Sequence, residues 1–283
     1  MSNIDELIND GFVIVDKPPN MISHEVTSWV GRLLGAKRAG HAGTLDPNVT
    51  GVLPIALGKA TKLLRFITSK RKVYVGIIKF PHAVDRDFIN DLFSRFTGRI
   101  SQIPPKMSAV AKKKRFRTVF SLLPLEIKDN YVLFKADVEA GTYIRVLCRD
   151  MGGEMVDLRR IAVGNIREEH SVVLQRLLLE FHAWKSGLRN NLRSLILSPE
   201  EMFDLIRMRK VKLKEDAAVA VSHGAQLAVP GVVEWDEFNI GDYVAMYFND
   251  KLIGVGKAIL SSSDLNKGKG ILLKTLRIHK IID

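Results

Sequence analysis

The sequence has one cysteine, Cys148, among its 283 residues. A single thiol cannot form an internal disulfide or a cysteine-cluster metal site, and it suits a reducing compartment. The seven histidines lack the spacing of metal ligands, so we expect no metal and no cofactor. No apolar run approaches the ~20 residues that cross a bilayer, and the N-terminal stretch is too acidic for a signal peptide. We therefore expect a cytoplasmic protein.

Acidic residues are fewer than basic residues in this chain. The chain has 43 Lys and Arg against 31 Asp and Glu, which gives a formal charge of +12. Such an excess points to a polyanionic partner, usually nucleic acid, whereas no strongly basic amphipathic helix supports a membrane surface instead. The hydrophobic fraction of 46% is ample for a packed core, so the chain is not of the disordered class.

What the sequence does contain is a long loop, residues 40–51, around one carboxylate, Asp46. Three glycines and Pro47 exclude a helix interior or a strand centre. A surface turn with a solvated Asp is the plainer interpretation. The loop joins directly to the apolar run 52–58, however, which would hold it rigidly, as a catalytic group requires.

Periodicity and turn residues predict a series of helices and strands before residue 208. Apolar spacing and cap residues indicate helices, and short apolar or alternating runs indicate strands. Ser23 and Ser198 are placed as helix caps. The predicted strands are Phe12–Val15, Val73–Phe80 and Tyr131–Val138, and the predicted helices are residues 23–34, Lys59–Ile67, Asp85–Phe96, residues 174–181 and residues 198–206.

Arg145 is the lone charge in the apolar run Tyr143–Leu147. A buried arginine is costly unless it meets an anion. Any nearby acid could form a structural ion pair with it, but the sharper hypothesis pairs it with Asp46. A bidentate pair would fix the plane of that carboxylate.

A basic run lies at residues 112–117, where Lys112, Lys113, Lys114, Arg115 and Arg117 flank one aromatic residue. It could be a solvated face or a track for RNA phosphates. In a chain this basic we favour the phosphate track.

The pattern changes near Met208. Short runs punctuated by Gly, Asn and Asp predict a small all-β barrel. We therefore divide the chain into residues 1–207 and 208–283. The predicted barrel strands include Ala218–Val221, Tyr243–Phe248, Leu252–Ala258 and Ile271–Leu276.

Taken together these strings resemble the TruB-type pseudouridine synthases, and most closely their archaeal and eukaryal dyskerin-like branch, the catalytic subunit of box H/ACA ribonucleoproteins. Asn48–Gly51 resembles the dyskerin-like form, whereas Val52–Ala56 is equally similar to the bacterial tRNA enzymes. The matching strings are Asp16–Pro18, Gly40–Pro47, Lys72–Tyr74, Gly141–Arg145, Leu158–Arg160, and the PUA-like Ala218–Ala225 and Val229–Val232.

The resemblance implies roles for particular residues. Asp46 would be the essential catalytic carboxylate, Arg145 its partner and Tyr74 the ring that stacks on the target base. Leu158 would line the uracil pocket, while Lys17 and His41 would shape the loop or touch phosphate. One departure is that the segment between Arg145 and Leu158 is several residues shorter than the family pattern.

The resemblance also implies a fold, an activity and partners. The fold would be α+β, with a mixed, largely antiparallel sheet flanked by helices in the catalytic domain and a small all-β PUA pseudo-barrel after it. The activity would be isomerisation of uridine in rRNA or tRNA, without a cofactor. The partners would be a guide RNA and three small accessory proteins, and a eukaryotic source would place the protein in the nucleolus. Two alternatives stay open: a stand-alone tRNA pseudouridine synthase, and a non-catalytic RNA-binding scaffold.

Overall fold

A computed structural model describes residues 3–103 and 113–282. None of the helices in these ranges has the length and apolar character needed to cross a bilayer. The helices are α1 Ile4–Asn9, α2 Ser23–Leu34, α3 Leu64–Thr68, α4 Arg86–Arg95, α5 Ile144–Asp150, α6 Leu174–Lys185, α7 Leu192–Leu195, α8 Pro199–Leu205 and α9 Glu215–Ser222, with 3-10 turns at Gly58–Leu63, Glu168–His170, Val229–Gly231 and Ser262–Lys267.

Strands of the described chain form two sheets. The larger has the order β10-β1-β3-β8-β4-β7-β6-β5, with β2 beside β3 and β9 beside β8. Within it only the pairs β1–β10 and β3–β8 are parallel, which confirms a mixed, largely antiparallel α+β fold. The strands are β1 Phe12–Lys17, β2 Ala39–His41, β3 Thr50–Leu57, β4 Lys72–Lys79, β5 Gly98–Gln102, β6 Arg115–Lys128, β7 Tyr131–Val138, β8 Glu154–Val163, β9 Ile166–Arg167, β10 Val172–Val173, β11 Arg209–Leu213, β12 Leu227–Ala228, β13 Val232–Trp235, β14 Tyr243–Phe248, β15 Lys251–Ala258 and β16 Ile271–Ile278.

The smaller sheet has the order β12-β16-β15-β14-β11-β13. It packs on the larger part of the fold, because Tyr247 and Leu252 share one core cluster with Phe66 and Phe203. The prediction of a strand at Ala218–Val221 is wrong. Alanine favours helix, and α9 buries Ala218 and Val221 in the core of this smaller domain.

One of the two predicted helix caps, Ser198, is confirmed. The side chains of Asp85 and Ser198 accept hydrogen bonds from backbone N–H groups in the first turns of α4 and α8. The prediction for Ser23 is wrong, because Ile22 occupies the cap position and Ser23 is the first residue inside α2. Its hydroxyl group is used instead by a distant segment of the chain.

Candidate active site

The loop that carries Asp46 connects β2 to β3 and is tied to α2 by Ser23. The buried Ser23 hydroxyl accepts the backbone N–H of Leu45 at 2.8 Å and lies 3.1 Å from its carbonyl oxygen. Leu45 itself is 4% exposed and belongs to the core. The backbone N–H, the carbonyl group and the side chain of Leu45 are therefore all fixed by contacts. Because Leu45 directly precedes Asp46, these contacts also fix the position of the carboxylate.

Two buried cations hold the same loop through its carbonyl oxygens. The Lys17 ammonium group donates to Pro47 O at 2.8 Å and to Pro18 O at 2.7 Å. The Arg160 guanidinium group donates to Gly43 O at 3.0 Å and to Val52 O at 2.8 Å. Lys17 and Arg160 are 0% and 1% exposed. In this conformation Lys17 therefore supports the loop, and its predicted contact with substrate stays a prediction.

Glycines make this close approach possible at both ends of the loop. Gly43 and Gly51 have φ values of +96° and +104°, in the region that glycine adopts without strain. A Cβ atom on Gly51 would lie 2.2 Å from the Arg160 carbonyl oxygen. The loop can pair with β8 only because Gly51 has no side chain.

Arg145 reaches Asp46 from α5, 99 residues along the chain. Its Nη2 donates to Asp46 Oδ2 at 2.7 Å, so the predicted ion pair is present. Gln102 fixes the start of α5, because its side-chain amide bonds both the N–H and the carbonyl oxygen of Tyr143. No described residue bonds Asp46 Oδ1, so the pair is monodentate and one carboxylate oxygen is open to a substrate.

The expectation that Arg145 is buried is wrong. The side chains of Arg145 and Asp46 are 51% and 46% exposed. The apolar run around Arg145 forms a helix, which turns Val146, Leu147 and Cys148 inward and leaves Arg145 facing out. The pair therefore lies at a surface that RNA can reach.

Tyr74 and Leu158 lie on the same face of the sheet, on the adjacent strands β4 and β8. The register pairs Tyr74 with Arg160 and Gly76 with Leu158. Tyr74 and Leu158 are 8% and 6% exposed, and they share a core cluster with Leu45. The short segment before Leu158 therefore does not remove it from the site, since α5 leads to β8 through a short turn.

His41 is a loop residue whose ring lies between the hydroxyl groups of Thr27 and Thr44. Thr27 donates its one hydroxyl proton to Ser23 O, so it accepts from the Nδ1–H group of His41 at 3.0 Å. The Nε2 atom is then free to accept from the Thr44 hydroxyl at 3.3 Å. Burial, followed by the charges of Arg160 and His24, lowers the pKa of His41. This geometry favours the loop-shaping role.

Positive charge is concentrated beneath the loop. Lys72 is 5% exposed and donates to Thr68 O and, at 2.6 Å, to Lys70 O. Burial and then the charge of Arg160 lower the pKa of Lys72 to about 7. Burial and Arg160 also lower the pKa of Lys17, while Asp46 acts in the opposite direction. Arg160 thus acts electrostatically on several groups around the carboxylate.

The residues of the basic run differ in their exposure to solvent. Lys113 and Lys114 are exposed and precede β6, while Arg115 is half-buried at its start. Arg117 turns toward the sheet, where it donates to Phe116 O at 2.7 Å and lies 3.8 Å from Glu139 Oε1. Lys112 lies outside the described residues. Contact of this run with RNA phosphates stays a prediction.

Sequence reasoning missed Arg160, Lys72 and Gln102 as parts of the site. Arg160 and Lys72 lie inside the matching strings Leu158–Arg160 and Lys72–Tyr74, but the resemblance implies roles only for their neighbours Leu158 and Tyr74. The alternation of strand β4 places Lys72 on the same face as Tyr74, which is a signal that could have found it. Gln102 gave no comparable signal.

Known proteins match both parts of this fold. Residues 31–144 match the model of the TruB family pseudouridylate synthase N-terminal domain, and residues 209–281 match the PUA domain. A probable tRNA pseudouridine synthase B of Pyrobaculum arsenaticum is 42% identical over 284 residues, covering 97% of this chain and 85% of the relative. Its counterpart in Thermoplasma volcanium is 41% identical and covers 90% of this chain and 74% of the relative. The chain belongs to the TruB family of pseudouridine synthases, which are isomerases.

Solved structures of similar chains extend the match. A Cbf5 chain from a Cbf5–Nop10–Gar1 complex superposes with a TM-score of 0.91 at 37% identity, covering 99% of this chain and 88% of that one. A chain from an H/ACA ribonucleoprotein bound to a substrate RNA containing 2′-deoxyuridine gives a TM-score of 0.89 at 36% identity, with the same two coverages. The archaeal Cbf5 structures are thus similar over nearly the whole length of this chain.

Proposed function

We propose that this protein isomerises uridine to pseudouridine in RNA, guided by a box H/ACA-type RNA within a ribonucleoprotein. The observation that carries the proposal is the ion pair between Asp46 and Arg145, in the family's catalytic loop and beside the shared cluster of Tyr74 and Leu158. The likeness to Cbf5 chains of H/ACA complexes supports the guide RNA and the small accessory proteins as partners.

The chemistry follows from the groups present. The N1–C1′ bond of uridine breaks, the uracil turns, and a C5–C1′ bond forms. The proton on C5 leaves to solvent and N1 takes up a proton, so the product is an isomer of the substrate. Asp46 Oδ1 would act either as a nucleophile at C1′ or as a base at C2′. Arg145 holds the other carboxylate oxygen. Tyr74 would stack on the extruded base, which offsets part of the few kcal/mol that unstacking costs.

A cleft between the two domains supports RNA binding by the C-terminal part. It has a volume of ≈ 830 Å³, and its lining includes Asp10, Lys59 and Lys62 on the catalytic side and His223 and Lys280 on the PUA side. Cationic groups from both domains suit a phosphate backbone. We propose that this cleft receives the single-stranded end of the guide RNA.

The test is tritium release from RNA labelled at carbon 5 of uridine, using the full chain with its guide particle. Asp46→Asn should abolish release because the reacting oxygen becomes an amide group. Asp150→Asn is a matched control, since Asp150 pairs with Arg149 on the same helix α5. Release by Asp46→Asn at the wild-type rate would refute the assignment and would favour a scaffold role for the protein.

A second candidate is a stand-alone tRNA enzyme, which the names of the curated relatives favour. Wild-type protein and a bare tRNA transcript, without guide RNA, distinguish the two. Turnover on the bare transcript at the particle's rate would support the second candidate.

A further inference from the structure

Arg160 lies directly beneath the loop of Asp46 and is cut off from solvent. It is 1% exposed, on the strand β8 that pairs with the end of the loop at Gly51. Among the described residues its guanidinium group forms no ion pair with a carboxylate. A buried, unpaired arginine is unfavourable for stability alone, so its position calls for another explanation.

The contacts of Arg160 link both ends of the loop. Nη2 bonds Gly43 O at 3.0 Å and Nε bonds Val52 O at 2.8 Å. These two carbonyl groups bracket Asp46 on either side. A planar guanidinium group fixes the spacing between two acceptors, which a lysine cannot do. The planar guanidinium group of Arg160 therefore sets the distance between the carbonyl oxygens of Gly43 and Val52.

The same group also reaches the other half of the site. Arg160 faces Tyr74 across the β4–β8 pair. Burial lowers the pKa of Arg160, and the neighbouring Tyr74 opposes that shift. A displaced guanidinium group would thus disturb the loop and the tyrosine together.

We infer that Arg160 is a positioning residue for uridine isomerisation: it sets the separation of Gly43 and Val52, and thereby the place of Asp46 relative to Tyr74. This inference rests on the proposed function, because it assigns a role in that reaction. Arg160 has no exposed surface for RNA, so it acts through the loop and not through substrate.

The decisive variant is Arg160→Lys, which keeps a basic side chain but replaces two donor nitrogens at a fixed spacing with one flexible amine. Single-turnover release of tritium, per folded molecule, should fall about 10- to 100-fold, because small misplacements of a catalytic group have effects of this size. The Kd for the RNA particle should change less than about twofold, since RNA does not touch Arg160. Arg160→Met is the second variant and should lose at least as much activity.

Hydrogen exchange of residues 43–52 in the free protein gives a readout that does not depend on activity. Both variants should exchange faster there than wild type. Arg193→Met is the control, because Arg193 also bonds a backbone carbonyl, Ile196 O, and an acid, Glu201, but lies away from the loop. It should change neither the rate per folded molecule nor exchange in the loop.

The outcomes separate this inference from the proposed function. If wild-type protein releases no tritium, the proposed function fails, while loop exchange still decides the role of Arg160. If wild type is active and Arg160→Lys matches it in rate and exchange, the positioning role is refuted. A loss of RNA affinity without a loss of single-turnover rate would refute it as well.

Discussion

Replacing Ser23 by alanine tests whether the loop of Asp46 is held by α2. The Ser23 hydroxyl is buried and serves both the N–H and the carbonyl group of Leu45, at 2.8 and 3.1 Å. Alanine would leave two buried backbone groups without their partner. Each such group costs about 1–3 kcal/mol, so Ser23→Ala should lower the free energy of unfolding by about 2–6 kcal/mol.

Urea unfolding of wild type, Ser23→Ala and Ser194→Ala measures this effect. Ser194 is exposed and makes one bond, to Asn191 O at 2.8 Å, so its replacement should change stability by less than about 0.5 kcal/mol. The single-turnover rate of Ser23→Ala should also fall, because Leu45 immediately precedes Asp46. Equal, small effects of the two alanine variants would refute the view that Ser23 anchors the loop.

Three further predictions concern charge, backbone and RNA. Folding lowers the pKa of Lys72 from 10.5 to about 7, so the unfolded chain binds one more proton between these values and stability should rise with pH there. The rise should approach about 1.4 kcal/mol per pH unit and be smaller in Lys72→Met, where the lowered pKa of Lys17 still contributes. Urea titrations at pH 7 and 9 measure it, and parallel curves for the two proteins would contradict it. Gly51→Ala should destabilise by about 3 kcal/mol or more, and Gly98→Ala, also at positive φ but with no atom near its Cβ, by less; equal losses would argue against a clash. Changing Lys112, Lys113 and Lys114 together to Gln should flatten the salt dependence of RNA binding, and an unchanged slope would make the run a solvated face.

The site was predictable where its residues sit in motifs with strong backbone constraints. The glycines and Pro47 of the central loop indicate an unusual backbone conformation. The resemblance to the family identifies Asp46, Arg145 and Tyr74 as site residues. The ion pair across 99 residues follows from that resemblance and is present. Its exposure did not follow, because an apolar run with one charge fits a buried strand and an amphipathic helix equally well.

The supporting residues were harder to predict because their roles depend on tertiary contacts. Ser23 has the residue type of a helix cap, yet its hydroxyl group bonds a segment 22 residues away. The apolar run of α9 predicts a strand, because short apolar runs give no decisive periodicity. Local patterns identify candidate residues, whereas only the packed chain decides their partners.

The hydrogen bonds from Arg160 and Lys17 to backbone carbonyl oxygens have a consequence for evolution. Arg160 bonds the carbonyl oxygens of Gly43 and Val52, and Lys17 bonds that of Pro47. Every amino acid has this backbone atom. Side chains along this segment can therefore diverge between relatives while the reactive carboxylate keeps its place. Substitutions should be tolerated at Asn48, whose side chain takes no part in these bonds. They should be disfavoured at Gly51, where any larger residue would collide with β8.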